Sequence, residues 1–263
     1  MPSTERPDTS VYREWRPPSA LRDHVVCLWT QTIAAGSAGH RQAVFPDGCV
    51  DLVRIDGQRP FVAGPMTRPV VVDLPRGARL RGVRLRPGAA AAVLHVSSED
   101  IRDRSVDLVD LGRPAAAFSG EEAERGDEAF IAGVADLLTR ADASDRLVRA
   151  AVDALASAPD LRIEALARCL DISERQLNRR VRVAVGYGPK RLQRILRFQR
   201  LLALAAAEEE PTAADLAYAA GFADQAHMVR EVHALAGDLP SAVLPSAAST
   251  LALSDSFKIG VCS

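Results

Sequence analysis

The sequence predicts an α+β protein of two domains, with a β-rich N-terminal half and an all-helical C-terminal half. Three observations carry this. Short apolar segments punctuated by Pro and Gly fill residues 24–86, a spacing that suits a small barrel or sandwich. From Asp160 to Leu244 the pattern is helix and turn with no strand candidate. Within that helical half, a two-helix unit occurs twice. At 263 residues the chain is long enough for two modest domains.

The strand candidates run in order. Residues 24–30 (HVVCLWT) are rich in β-branched and aromatic side chains. Ala43–Phe45 follows, then Pro46-Asp47-Gly48, a turn in which Pro presets φ and Gly accepts a positive φ. Residues 49–55 (CVDLVRI) come next, and 60–64 (PFVAG), 69–74 (PVVVDL) and 79–86 (RLRGVRLR) are each bounded by Pro or Gly. After Pro87-Gly88 the stretch AAAAVLHV turns to helix-favouring composition. Arg79, Arg81, Arg84 and Arg86 suit either an anionic ligand or a plain solvent face.

Between Gly112 and Glu128 the chain becomes acidic and loses its apolar period, which predicts an exposed connection. From Ala129 a helical pattern runs to Pro159, which ends it. The expected organisation is a β-rich sensor or dimerisation domain at 11–111, an acidic linker with connecting helices at 112–159, a tandem helix-turn-helix domain at 160–245 and a weakly ordered tail at 246–263.

The repeat is read from pairs of residues. Leu166-Ala167 recurs as Leu216-Ala217, fifty positions on. Past the turn the offset is fifty-one: Leu177 with Met228, Arg179 with Arg230, Val181 with Val232, Gly186 with Gly237, Pro189 with Pro240. Ser173 and Gln176 match a capping box that starts a helix at Glu174, and Thr212 with Asp215 does the same after Pro211. Gly221 fits the second turn. Between the units, Pro189 to about Ala207 reads as one strong helix, with Leu192, Ile195, Leu196 and Leu202 on one face and Lys190, Arg191, Arg194 and Arg197 on the other. Such a helix would hold two reading heads apart, as successive major grooves about 34 Å apart require.

Charge points the same way. The chain carries 33 Lys+Arg against 34 Asp+Glu, yet Asp171–Arg200 holds nine basic and two acidic residues. A block of one sign in a balanced chain suits a polyanion. Arg175, Asn178, Arg179 and Arg182 share one helix face, opposite the Leu177/Val181 stripe. Arg and Asn are the side chains suited to guanine and adenine edges.

Two helix-turn-helix units joined by a long helix resemble the AraC/XylS family of bacterial transcription regulators. GFADQAHMVREVHALAGDLP (221–240) is similar to that family's most recognisable stretch, and the first unit matches through Ser173, Leu177, Arg179 and Gly186. GYGPKRLQRILRFQR (186–200), PDGCVDLV (46–53) and GPMTRPVVVDLP (64–75) resemble a subgroup with a poorly characterised N-terminal domain. The resemblance implies a cupin-like β-fold for the sensor. It also implies base-reading or backbone-contacting roles for Arg175, Asn178 and Arg179 in the first head, and for Gln225 and Arg230 in the second. With Arg182, Lys190, Arg191 and Arg194 these make up the expected DNA-binding set. Val181 and Val232 depart from the family's Phe, and Ala223 and Ala226 from its small hydroxyl residues. The latter change loses a helix cap worth about 1 kcal/mol unless Asp224 supplies one.

The leading reading is a sequence-specific DNA-binding regulator controlled through its N-terminal domain. Its expected partners are double-stranded DNA, a small-molecule effector, RNA polymerase and a second copy of the chain. The effector is expected in the β-core, although no lining residue is named. A tethered enzyme is the first alternative. Asp47, Cys49 and Asp51 are the only compact group with nucleophile or acid/base potential, and no histidine stands at a diagnostic spacing. An interaction module that has lost DNA binding is the second. No catalytic residue, cofactor or metal is expected, since Cys27, Cys49, Cys169 and Cys262 are scattered and His24, Cys27, His40 and Cys49 lack metal-ligand spacing. No apolar run approaches the ~20 residues that cross a bilayer, and the first residues lack a secretory pattern, so a cytoplasmic location is expected.

Overall fold

A computed structural model of the chain describes residues 10–112, 123–207 and 211–251. In the N-terminal half, β1 (Ser10–Trp15), β2 (Val25–Ile33), β4 (Val50–Ile55), β5 (Phe61–Ala63), β7 (Arg79–Leu85) and β8 (Ser105–Asp107) form one antiparallel sheet in the order β1-β2-β7-β4-β5-β8. β3 (His40–Val44) and β6 (Val70–Leu74) pair as a separate two-stranded sheet. Of the two alternatives, barrel and sandwich, the open one forms. β1 and β8 are distinct edges that never meet, so the sheet does not close.

The large sheet is covered on both faces. On one, Trp29, Ile33, Val53 and Leu80 pack against Leu74 and Val72 of the small sheet. On the other, Val25, Val50, Leu52, Val83 and Leu85 meet α1 (Ala90–Leu94) and α2 (Ala123–Thr139) through Val93, Leu94, Phe130, Val134 and Leu138. Strand side chains alternate between faces, so β2 could not serve both cores without a break in its period. A register shift between Val25 and Cys27 supplies it, sending Val25 to the helical layer and Cys27 to the other. Gly82 lies opposite Trp29, and a Cβ there would fall 2.1 Å from the indole ring. The missing side chain is what lets Trp29 lie across β7.

The helical half continues with α3 (Arg146–Ser157), α4 (Ile163–Cys169), α5 (Glu174–Val185), α6 (Pro189–Ala207), α7 (Ala213–Ala220), α8 (Gln225–Ala236) and α9 (Pro240–Leu251). The repeat read from sequence is physical. α5 and α8 each end on a glycine in the left-handed region, Gly186 and Gly237, and Pro189 and Pro240 each open the next helix. Leu192, Ile195, Phe198, Leu201 and Leu202 make α6 the spine of one apolar core shared by both units and α3.

Some expectations shift. β1 carries no clear strand signal because SVYREW reads as polar; Ser10, Tyr12 and Glu14 point inward, while Val11 and Trp15 are exposed. α2 begins at Ala123, inside the acidic connection expected at 112–128, and residues 113–122 lie outside the described residues. α9 runs on to Leu251, into the expected tail, whose residues 252–263 also lie outside them.

The two halves are docked. The Pro46-Asp47-Gly48 turn presses on α6: Gln199 Nε2 donates to Pro46 O at 2.6 Å, and Phe45 stands edge-on to Phe198 with centroids 5.8 Å apart. A Cβ on Gly48, whose φ is +86°, would lie 3.4 Å from Leu192.

Candidate nucleic-acid interface

α5 is built as the first head requires. The capping box read from sequence forms in both directions: Gln176 N donates to Ser173 Oγ at 3.2 Å, and Ser173 N to Gln176 Oε1 at 2.9 Å. Leu177, Val181, Ala184 and Val185 are buried, which turns Arg175, Asn178, Arg179 and Arg182 outward. These four line one open groove with Lys190 and Arg191 at the start of α6. Asn178 leans on Gly188, where a Cβ would sit 2.9 Å from its Oδ1.

The cations of this region differ in what they already hold. Arg175 and Arg179 make no ion pair among the described residues, and both are exposed. Lys190 Nζ donates to Gln193 Oε1 at 3.0 Å and stays exposed, and Arg191 reaches Thr67 O at 3.4 Å. Arg182 is paired with Glu99 and Arg180 with Asp145, at 2.7 Å, both carboxylates lying outside the helix-turn-helix units. Arg194 does not face outward. Its Nε is 2.6 Å from Glu231 Oε2, tying α6 to α8. Arg197, expected on the polar face, is 8% exposed, donates to Pro159 O and lies over the Phe222 ring. Its burial follows from its place in the middle of α6, where Pro159 and Phe222 close over it.

The second head has the same frame with less charge. Gln225 and Arg230 are exposed on α8. Asp224 supplies the cap that Ala223 and Ala226 cannot, its Oδ1 accepting from His227 N at 2.6 Å. Thr212 caps α7 through Asp215 N at 3.1 Å.

A cavity of about 390 Å³ lies at the junction of the halves, walled by Val148 and Val152 of α3 and Leu196 and Gln199 of α6, with Asp47, Cys49 and Arg84 toward the sheet. The group singled out by sequence, Asp47, Cys49 and Asp51, does come together, around Arg84. Arg84 Nε is 3.3 Å from Asp51 Oδ1 and 3.7 Å from Asp47 Oδ2, and Trp29 Nε1 donates to Asp51 Oδ1 at 2.9 Å. Burial pushes the Cys49 thiol well up, with Asp47 adding to the effect, so the thiolate a nucleophile needs is disfavoured. Burial also raises Asp47, against the pull of Arg84 and with help from Asp51. The sequence reading missed that Arg84 is an internal ion-pair partner, because alternating arginines on a strand look like a solvent face. Among the described residues no group of three or more His, Cys, Asp or Glu side chains is placed to hold a metal ion, and no helix is long and apolar enough to cross a membrane.

Tandem capped units, one spine helix and an open basic groove define a double helix-turn-helix module. Comparison with known proteins agrees: residues 166–245 match a family described as a helix-turn-helix domain, and residues 13–107 match a domain of unknown function, DUF6597. Residues 166–245 thus carry an AraC-type helix-turn-helix domain. Among solved structures it is similar to ToxT from Vibrio cholerae O395, at 11% identity and a TM-score of 0.46 over 90% of this chain and 98% of that one. It is likewise similar to unsaturated fatty acid bound ToxT from strain SCE256, at 10% identity and a TM-score of 0.42 over 90% and 95%. No curated protein sequence matches the chain.

Proposed function

We propose that the chain is a sequence-specific transcription regulator whose first unit supplies most of the DNA affinity, and that a small-molecule effector occupies the cavity between its halves. The observation that carries the DNA reading is the groove where Arg175, Asn178 and Arg179 stand exposed on a rigidly capped helix. Phosphate contacts dominate affinity through counterion release, and Arg179, Lys190 and Arg191 are placed to make them. Base edges are then open to Arg175 and Asn178.

The effector reading rests on position. The cavity touches the sheet, α3 and α6 at once, so an occupant would press on the domain junction rather than sit within the β-core. Its size is that of a small-ligand site.

Duplexes selected from a random pool, titrated at two salt concentrations, test the DNA reading. Salt-dependent binding with a sequence preference is expected, and absence of both would leave only an interaction module. For the cavity, Val152→Trp should fill it and abolish any effector response while leaving binding to the selected duplex intact.

A further inference from the structure

The C-terminal end of α5 is finished by the other domain. Helix ends leave their last carbonyls without intrahelical donors. Here Ser98 N donates to Val183 O at 2.8 Å, Ser98 Oγ to Ala184 O at 2.7 Å, and Arg102 Nη1 to Gly186 O at 2.7 Å. Ser98 is fully buried by this contact. Gly186, at φ +96°, is pressed so close that a Cβ would fall 2.6 Å from Pro65 and 3.0 Å from Ser98 O. α8, the equivalent helix of the second unit, receives no side-chain donor on its last carbonyls from outside its domain among the described residues.

Between Ser98 and Arg102 stands Glu99. Its backbone is held by Ser97 Oγ at 3.3 Å, and its carboxylate oxygen Oε1 meets both Nε and Nη2 of Arg182, the former at 3.2 Å, with Arg102 Nη1 at 3.4 Å. The Nε and Nη2 edge of Arg182 thus closes on a single anionic oxygen, as it also can on one oxygen of a phosphate. Glu99 lies at the edge of the same groove as Arg175, Asn178 and Arg179.

We propose that Glu99 takes the place of a DNA phosphate on Arg182, so that docking of the N-terminal domain and a backbone contact by this arginine exclude one another. Ser98 and Arg102 are positioning residues in this scheme, since they fix where the carboxylate stands. The consequence is a DNA-reading head with one contact withheld. Movement of the 97–102 loop away from α5 would release it, adding a phosphate contact without altering the rest of the reading surface. The inference rests on the reading that α5 meets DNA.

The test is a double-mutant cycle on the full chain with two probes, a non-specific duplex and heparin, a polyanion that needs no reading of bases. Glu99→Gln keeps the shape and removes the charge at a half-buried site. On duplex it is expected to bind several-fold tighter and to steepen the log K against log salt slope by about 0.9, one phosphate. On heparin it should elute at higher salt. Both gains should vanish in Glu99→Gln/Arg182→Ala, which should match Arg182→Ala alone. A gain that persists undiminished without Arg182 means that Glu99 acts by net charge only and overturns the proposal, as does an unchanged slope and elution in Glu99→Gln. If the wild type binds no duplex but the heparin cycle couples the two residues, the clip stands and the DNA reading fails. If duplex binds and neither probe shows coupling, the reverse holds.

Discussion

Arg179 and Arg194 belong to the same basic block, yet they do different work. Arg179 is exposed without an ion-pair partner among the described residues, whereas Arg194 holds Glu231, whose side chain is 17% exposed. Removing a positioned, free arginine from the groove should weaken DNA binding. We expect Arg179→Ala to cost about 1–3 kcal/mol on a selected duplex and to flatten the salt slope by about one contact. Arg194→Ala should leave that slope unchanged. It strands a half-buried carboxylate, so about 1–2 kcal/mol should be lost from stability instead, read as a lower urea midpoint. If Arg194→Ala changes the salt slope as much as Arg179→Ala does, this division between contact and scaffold is wrong. Arg230, the repeat equivalent of Arg179, is exposed but nearly alone, and its removal should affect a selected duplex more than a non-specific one.

Among elements, the two recognition helices share a frame and differ in field. From Leu201 to Pro240 the sequence holds one Arg against seven acidic residues, which suggests a repelling second unit. Several of those acids have structural tasks. Asp224 caps α8, Asp215 packs on the Thr212 cap at 2.6 Å, and Glu231 is neutralised by Arg194. A carboxylate near a helix N-terminus also meets the positive end of the helix dipole. The second unit is therefore less hostile to DNA than its composition implies, though it offers few phosphate contacts. Asp224→Ala should cost about 1 kcal/mol of stability, as a lost cap does. Ser173→Ala should cost a similar amount at α5, and in both cases circular dichroism with urea gives the measurement. Lys190→Ala, at the start of the spine helix, should flatten the salt slope by roughly one contact with little change in stability.

The whole molecule is held across its junction by contacts from several segments: Phe45 and Pro46 on α6, Ser98 and Arg102 on α5, Asp145 on Arg180, and Asp23 on Arg149. Acidic, aperiodic composition across residues 112–128 makes this stretch the expected site of first proteolytic cleavage. The docking contacts imply that the nicked halves should still elute together in gel filtration, and prompt separation would show the junction to be weak. pH should act at the same junction. His24 Nδ1 lies 3.1 Å from Ser144 Oγ, and burial lowers its pKa, opposed by Asp23. A lowered folded-state pKa favours the neutral ring in the folded protein. Its contribution is thus present above the unfolded value of 6.5 and lost as pH falls through the folded one. The fall in melting temperature between about pH 7.5 and about pH 5.5 should therefore be smaller in His24→Gln than in the wild type.

What the sequence determined by itself was local and periodic. The capping box at Ser173, the Gly186/Gly237 and Pro189/Pro240 exits, the tandem units and the outward face of α5 could all be read in order, because a helix sets side-chain direction from positions three and four apart. Most strands of the first half were readable from their period of two, except β1, whose inward side chains are Ser10, Tyr12 and Glu14 rather than aliphatic ones, and the three-residue β8, too short to show a period. The tertiary structure alone decided which charges are free. Glu99 lies 83 residues from Arg182, Asp51 lies 33 from Arg84, and Glu231 lies 37 from Arg194. Ion pairing and burial depend on distance in space, and no pattern along the chain encodes which carboxylate will meet which guanidinium. The cavity at the junction and the pairing of Arg182 with Glu99 follow from how the halves dock, which brings residues far apart in sequence within a few ångströms.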